Sequence, residues 1–411
     1  MKLGFYIILA AQFFSALADN ALLFAAIALL KELNAPDWQV PVLQQFFIFS
    51  YIALAAFVGA FADALPKGRV MFISNTIKLL GCIAMLMGMH PLYAYAVVGF
   101  GAAAYSPAKY GILTEYLPPS KLVWANGWME GLTVASIIFG AVIGGYLITP
   151  QVALPMLEAF DLPGIQTGID TPPEFAVTII TVLYTLAAIF NLYIPKVAID
   201  HRPLRRNPLY ILHDFWHCFK LLWKDPLGQV SLAVTTLFWG AGATLRLIVL
   251  SWAFMALAMP LEQATLLTAW VAFGIAVGSI VAAKWVKLED SVKVLPVGIV
   301  MGFTVMAMML VTNIWVARGL LVAIGSMAGF FVVPMNALLQ HRGHLLMGAG
   351  HSIAVQNFNE NLSILTMLGA YAMMIKWGWT INTIIIIFGA FVSTTMLWLY
   401  RLHGKDRLPM P

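Results

Sequence analysis

The sequence has little charge and almost no cysteine: Asp, Glu, Lys and Arg make up 10% of its 411 residues, whereas 61% are hydrophobic. So little charge excludes a water-soluble domain with a polar skin, and the solvent must be a bilayer. The two cysteines, Cys82 in an apolar run and Cys218 in a loop, offer neither a disulfide framework nor a metal cluster. No glycine-rich loop followed by Lys-Ser/Thr occurs, which removes a built-in ATPase and with it a primary pump. No triad-like or metal-ligand cluster sits in a loop large enough for an enzyme domain. We therefore expect no enzyme activity, no cofactor and no metal. The short alternating segments of a membrane β-barrel are missing as well.

What is present is a series of long apolar runs, each near the ~20 residues that a helix needs to cross a bilayer. They fall near 5–30, 42–62, 70–88, 92–113, 124–148 and 174–194, then near 229–258, 263–283, 294–312, 318–339, 350–375 and 379–400. This pattern predicts an all-α polytopic membrane protein of twelve transmembrane helices, six plus six. Lys2 followed by an apolar run imitates a secretory signal, but the run continues past Asp19 and Asn20 without a small-residue cleavage site, and we read it as the first span.

With both termini on the cytoplasmic side, seventeen of the twenty-three Lys and Arg residues lie there, only Lys31, Arg318 and Lys376 lie outside, and Lys78, Lys109 and Arg246 fall within spans. That bias follows the positive-inside rule, so the net charge of +5 reports topology, not nucleic-acid binding. The acidic connection 151–174, with Glu158, Asp161, Asp170 and Glu174, goes outside.

The basic stretch 196–228, with Arg202, Arg205, Arg206, Lys220 and Lys224, separates a half at 1–195 from a half at 229–411. Within it Leu209, Leu212, Phe215, Phe219 and Leu222 recur at helical steps beside Trp216 and Trp223, as in a short helix lying at a membrane interface. His213 and His217 share a face there, but without a third ligand they read as interfacial residues.

The halves echo each other. Gly101-Ala-Ala-Ala-Tyr-Ser-Pro107 in span four matches Ala328-Gly-Phe-Phe-Val-Val-Pro334 in span ten, and the two prolines are expected to kink their helices. Ala125-Asn-Gly-Trp-Met-Glu130 in span five matches Val355-Gln-Asn-Phe-Asn-Glu360 in span eleven. A duplicated six-span unit is the architecture of the major facilitator superfamily, with its cavity between the halves. Gly59-x-x-x-Asp63-x-x-x-Lys67-Gly68-Arg69 resembles that superfamily's loop between spans two and three, where Asp63 would hold a cation or helix end at the gate and Gly59 would permit close approach. Gly140-x-x-x-Gly144-Gly145 reads as a helix-packing face.

Asp19, Lys78, Lys109, Glu130, Arg246 and Glu360 all fall in or near spans. A charge at the bilayer centre costs about 2.5–3.5 kcal/mol on insertion scales, so each should face protein, water or an opposite charge. Phe14–Leu22 aligns with Phe238–Arg246, which would let Asp19 and Arg246 meet across the cavity, as a substrate site or as a helix lock. Arg246 offers a fork for phosphate or carboxylate, and Asp19 can hold an ammonium or a proton. Gln356, Asn357 and Asn361 surround Glu360 as a second polar patch. Lys109 follows Pro107 and either lines the cavity or snorkels to the interface, Glu130 either caps or pairs with a loop cation, and Lys78 carries the least weight.

Four long segments, Ala18–Phe24, Gly101–Leu113, Phe238–Arg246 and Phe330–Gln340, resemble the bacterial lysophospholipid transporter family, LplT, along nearly the whole chain. The resemblance implies inward flipping of lysophosphatidylethanolamine and related monoacyl lipids across a Gram-negative inner membrane. A cytoplasmic acyltransferase, Aas, would then restore the second chain. It also implies substrate-binding or gating roles for Asp19, Asn20, Lys109, Arg246, Asn357 and Glu360, and a protein that works as a monomer without nucleic acid. Two other readings stay open at this point: a proton-coupled exporter of drugs or small metabolites using the carboxylates of spans one and eleven, and a membrane scaffold or acyltransferase subunit.

Overall fold

The structure is a computed structural model that describes residues 3–36, 39–160, 169–197, 207–259 and 261–404. Lys2, Asp161, Arg202, Arg205 and Arg206, used above, lie outside the described residues. Every element among the described residues is helical. The chain forms two compact units, Met1–Ile112 with Ala135–Leu212, and Leu113–Val134 with His213–Pro411.

The first unit holds α1 (Leu3–Glu32), α2 (Gln39–Ala53), α3 (Ala55–Ala64), α4 (Lys67–Leu86), most of α5 (Pro91–Tyr116), the second part of α6 (Leu122–Leu147), α7 (Pro150–Phe160) and α8 (Pro172–Leu192). The chain bends by 66° between the end of α2 and α3. α4 stops at Gly88, whose φ of +85° is a left-handed conformation that costs glycine nothing. α8 begins where the Glu174 carboxylate accepts the N–H groups of Asp170 at 2.8 Å and Thr171 at 3.1 Å, answering donors that a helix start leaves open. On α6, a Cβ on Gly140 or Gly144 would collide with the backbone of α1 around Leu17 and Ala21, so these two glycines are the packing face that the sequence suggested, and Gly145 faces open space.

The second unit holds the first part of α6 with α9 (Pro208–Lys224), α10 (Pro226–Leu257), α11 (Leu261–Trp285), α12 (Leu295–Ala307), α13 (Ile314–Met347), α14 (Ala349–Lys376) and α15 (Ile381–His403). Its tightest seam is α11 on α13, where Gly274 and Gly278 face the α13 backbone at Val322 and Ser326, and Gly325 and Gly329 face the α11 backbone at Val271 and Ile275, closely enough that no Cβ fits. Small residues let backbones meet in a medium that supplies no hydrophobic drive of its own.

Each of the twelve expected runs falls on helix. By length and apolarity, nine helices among the described residues can cross a membrane, or ten when the bent α2–α3 pair is one span. α5 and α14 are the long helices outside that set, and α14 carries the polar run Gln356–Asn361 that lowers its apolarity. Two connections differ from expectation. Part of the acidic 151–174 connection is α7, because Ala153 and Leu157 join the apolar cluster of Leu29, Leu30 and Phe175. Cys218, expected in a loop, lies buried on α9.

Candidate functional site

In the first unit, polar side chains from α1, α4 and α8 converge on Asp19. Its Oδ2 accepts a hydrogen bond from Lys78 Nζ at 2.8 Å, and its Oδ1 accepts one from the Tyr184 hydroxyl at 2.6 Å. Lys78 Nζ also donates to Ser15 Oγ at 3.1 Å, and Ser15 donates in turn to Asn75 Oδ1 at 2.8 Å. The ammonium lies 4.7 Å from the Tyr105 ring centre and 5.6 Å from that of Tyr184, within cation–π range. Lys78 is fully buried, whereas the Asp19 side chain keeps 23% of its surface exposed, so the acid is the accessible end of the pair. Gly101 on α5 makes room for the lysine stem, since a Cβ there would lie 2.7 Å from Lys78 Cγ. The cation that answers Asp19 is thus the one to which the sequence attached least weight.

Asn20 turns back on its own helix and donates to the Ala16 carbonyl at 2.8 Å. Lys109 is buried, with its ammonium 4.7 Å from the Tyr110 ring centre. Pro107 and Pro334 both lie inside helices that continue across them. At the α3–α4 corner, buried Lys67 bonds Asp63 Oδ1 at 3.0 Å and the Ala62 carbonyl at 2.6 Å, with Gly59 buried and Arg69 exposed. Asp63 therefore holds a cation of its own motif.

In the second unit a buried chain of polar groups links two carboxylates. Asn336 on α13 donates to Glu130 Oε1 on α6 at 3.2 Å, and its own Oδ1 accepts from Gln356 Nε2 on α14 at 2.9 Å. Gln356 Nε2 also donates to Glu360 Oε1 at 2.7 Å. One turn along α13 from Asn336, Gln340 exchanges two 2.8 Å hydrogen bonds with Asn126 of α6. Glu130, Asn126, Asn336, Gln340, Gln356 and Glu360 are all buried. The repeated Asn126…Glu130 and Gln356…Glu360 spacing puts an amide and an acid on one face of each helix, and α13 answers both with amides. The sequence drew attention to the acids but missed Asn126, Asn336 and Gln340, although the i, i+4 amides were legible. Asn357 is buried beside this chain, and Asn361 donates to its carbonyl at 2.8 Å. Arg246 on α10 is exposed.

A further cluster ties α9 and the start of α10 to their neighbours. Asp225, the N-cap of α10, accepts from Gly228 N–H at 2.8 Å and from Arg342 Nε at 3.0 Å, and its second oxygen meets Arg342 Nη2. Burial raises the Asp225 carboxyl, but the hydrogen bonds from Arg342 and Gly228 and the arginine charge outweigh it and hold the group below its ordinary value. Asp214 lies 3.3 Å from His351 Nε2, and Phe215, Trp216 and Phe219 surround Phe358 of α14. α9 therefore packs by Ile211, Phe215, Cys218 and Leu222, leaving Leu209, Leu212 and Trp216 exposed beside His213 and His217.

The family model of the Major Facilitator Superfamily matches residues 8–365. Proteins named lysophospholipid transporter LplT from Yersinia pestis (strain Pestoides F) and Yersinia pseudotuberculosis serotype O:3 (strain YPIII) are each 44% identical over 372 residues, covering 90% of this chain and 86% of theirs. Among solved structures, the human organic anion transporter MFSD10 superposes with a TM-score of 0.72 at 12% identity, covering 98% of this chain and all of that one. The fucose transporter FucP in its outward conformation superposes at 0.70 and 14%, covering 98% and 99%, and shares the fold alone. The chain therefore belongs to the Major Facilitator Superfamily and, within it, to the LplT family.

Proposed function

We propose that this chain is a lysophospholipid transporter that moves lysophosphatidylethanolamine and related monoacyl lipids from the outer to the inner leaflet of a bacterial inner membrane. The observation that carries the reading is the 44% identity to proteins named for that activity over 90% of the chain. The buried polar groups suit such cargo. A lysophospholipid head carries a phosphate, for which the exposed Arg246 guanidinium offers a bidentate fork, and in the ethanolamine form an ammonium, for which Asp19 offers a partly exposed carboxylate.

In this reading Asp19, Asn20, Lys109, Arg246, Asn357 and Glu360 bind the head group or gate it. Gly59, Asp63, Lys67 and Arg69 form the gate loop, and Pro107 and Pro334 bend the helices that move. The halves 1–195 and 229–411 alternate about the site, with 196–228 as the cytoplasmic linker and both termini cytoplasmic. The protein acts as a monomer and carries out no covalent chemistry. It hands its cargo to a cytoplasmic acyltransferase of the Aas type, so reacylation can draw the lipid inward.

Uptake of labelled lysophosphatidylethanolamine into spheroplasts, repeated with purified protein in proteoliposomes, tests this. Uptake should exceed the empty-vector control and fall about tenfold or more in Arg246→Ala and Asp19→Asn, as loss of a charge-assisted contact implies. Uptake equal to the control would refute the substrate, and wild-type rates in both variants would refute the site.

A further inference from the structure

One end of α13 is fixed by its N-cap: Asn313 Oδ1 accepts the N–H of Trp315 at 2.8 Å and of Val316 at 3.4 Å. The first turn so defined carries Trp315 and Arg318 three residues apart, on one helix face. Arg318 lies between two indoles, its guanidinium carbon 4.7 Å from the Trp315 ring centre and 5.7 Å from that of Trp270 on α11. Its Nε is buried without a hydrogen-bond partner, and no carboxylate among the described residues pairs with the cation. The glycine seam between α11 and α13 holds the two tryptophans in register, so the guanidinium is gripped by a rigid pair of helices.

Along α11 from Trp270, the side chains of Phe273, Val277 and Ile280 are 53%, 37% and 62% exposed. Steps of three, four and three residues put them in a single exposed file, about 15 Å long at 1.5 Å per residue. A cation flanked by exposed tryptophans at the start of a candidate membrane span stands at the head of one apolar file. A phosphate with a single acyl chain has the same shape, and a diacyl lipid would leave its second chain without a file.

We propose that Arg318, Trp315 and Trp270 form a capture site for the lysophospholipid phosphate, with the acyl chain along Phe273, Val277 and Ile280. The site is separate from the polar networks around Asp19 and Glu360. On the topology proposed above, Arg318 is one of only three Lys or Arg residues outside, so the site takes lipid from the outer leaflet before transport. The identity of the occupant rests on the lysophospholipid reading. The planar guanidinium supplies the fork and the indoles hold its orientation.

The test uses lysophosphatidylethanolamine with a diazirine in its acyl chain, irradiated with the full-length protein in proteoliposomes, and adducts mapped by mass spectrometry. Adducts should concentrate on Trp270–Trp285 and fall about tenfold in Arg318→Gln, the loss expected of a charge-assisted phosphate contact. Arg318→Lys, which keeps the charge but not the fork, should fall between. A phosphate-free monoacylglycerol probe should label this stretch no better than Arg318→Gln does with the phospholipid. Unchanged labelling in Arg318→Gln, equal labelling by monoacylglycerol, or stronger competition by diacyl than by monoacyl phospholipid would overturn the proposal. If Arg318→Gln does not fold, Trp315→Leu removes one face of the clamp and is read the same way. Labelling needs no transport: Arg318-dependent adducts without uptake would keep the site and refute the transporter, and uptake without such adducts would do the reverse.

Discussion

Lys78 is fully buried on α4, and an ammonium in that position is tolerable only because Asp19, Ser15 and two aromatic faces surround it. Removing one partner of a buried ion pair leaves an uncompensated charge and typically costs about 3–5 kcal/mol, whereas removing both costs less. Lys78→Met and Asp19→Asn should therefore each lower the thermal unfolding temperature in detergent, and the double variant should lose clearly less than the sum of the two. Additive losses would mean that the pair is not coupled. The sequence showed both residues and even their balance of charge, yet it could not join them, because the bond spans 59 positions and depends on how α1 packs against α4. What was legible was local: Ser15 and Asp19 share a face of α1, as Asn75 and Lys78 do on α4. The amides that answer Glu130 and Glu360 were hidden for a related reason, since an uncharged side chain inside a span raises no energetic alarm until its partner is known.

At the scale of elements, spans were legible because bilayer thickness imposes their length, and connections were not because no such rule governs them. The acids of the 151–174 connection point to a loop, but packing of buried Ala153 and partly buried Leu157 favours a helix there. α9 was legible from its period, yet its buried face runs through Ile211 and Cys218 beside Phe215 and Leu222, and a helix with apolar residues on two arcs does not announce which arc meets protein. The junction after α9 carries its own prediction. Arg342 and Gly228 hold the Asp225 carboxyl below its ordinary value of 3.8, so the folded state binds that proton less readily than the unfolded one. The stabilisation is then fully present above that value and lost as the pH falls through it towards the lowered one. Wild type should unfold at a higher temperature than Asp225→Asn at pH 7 and at pH 5, and the gap should close below about pH 4. A gap that is constant across this range, or that widens in acid, would show that the Asp225 charge contributes nothing to the junction.

For the whole molecule, the duplicated sequence implies two matching halves, and the echo of Ala125–Glu130 in Val355–Glu360 is legible in the sequence through its two acids. Both copies of this motif lie in one compact unit, because the first turns of α6 bond to α13, which in turn bonds to α14. α6 thus begins in the second unit, where its amide bonds to α13 hold its first turns, and ends in the first. If transport separates α6 from α13 within the second unit, Asn126 must leave Gln340 and Glu130 must leave Asn336, at roughly 1 kcal/mol for each neutral bond and more for the charged one. A covalent bridge at the same place should prevent that separation. In a background with Cys82 and Cys218 replaced by alanine, Asn126→Cys with Gln340→Cys joined by a short bis-methanethiosulfonate should lose nearly all lysophospholipid uptake, and reductant should restore it. Each single variant treated alike should keep most of its uptake. Full transport by the bridged protein would mean that α6 and α13 stay together throughout the cycle, and the moving boundary would then have to lie elsewhere than along this buried chain of amides and acids.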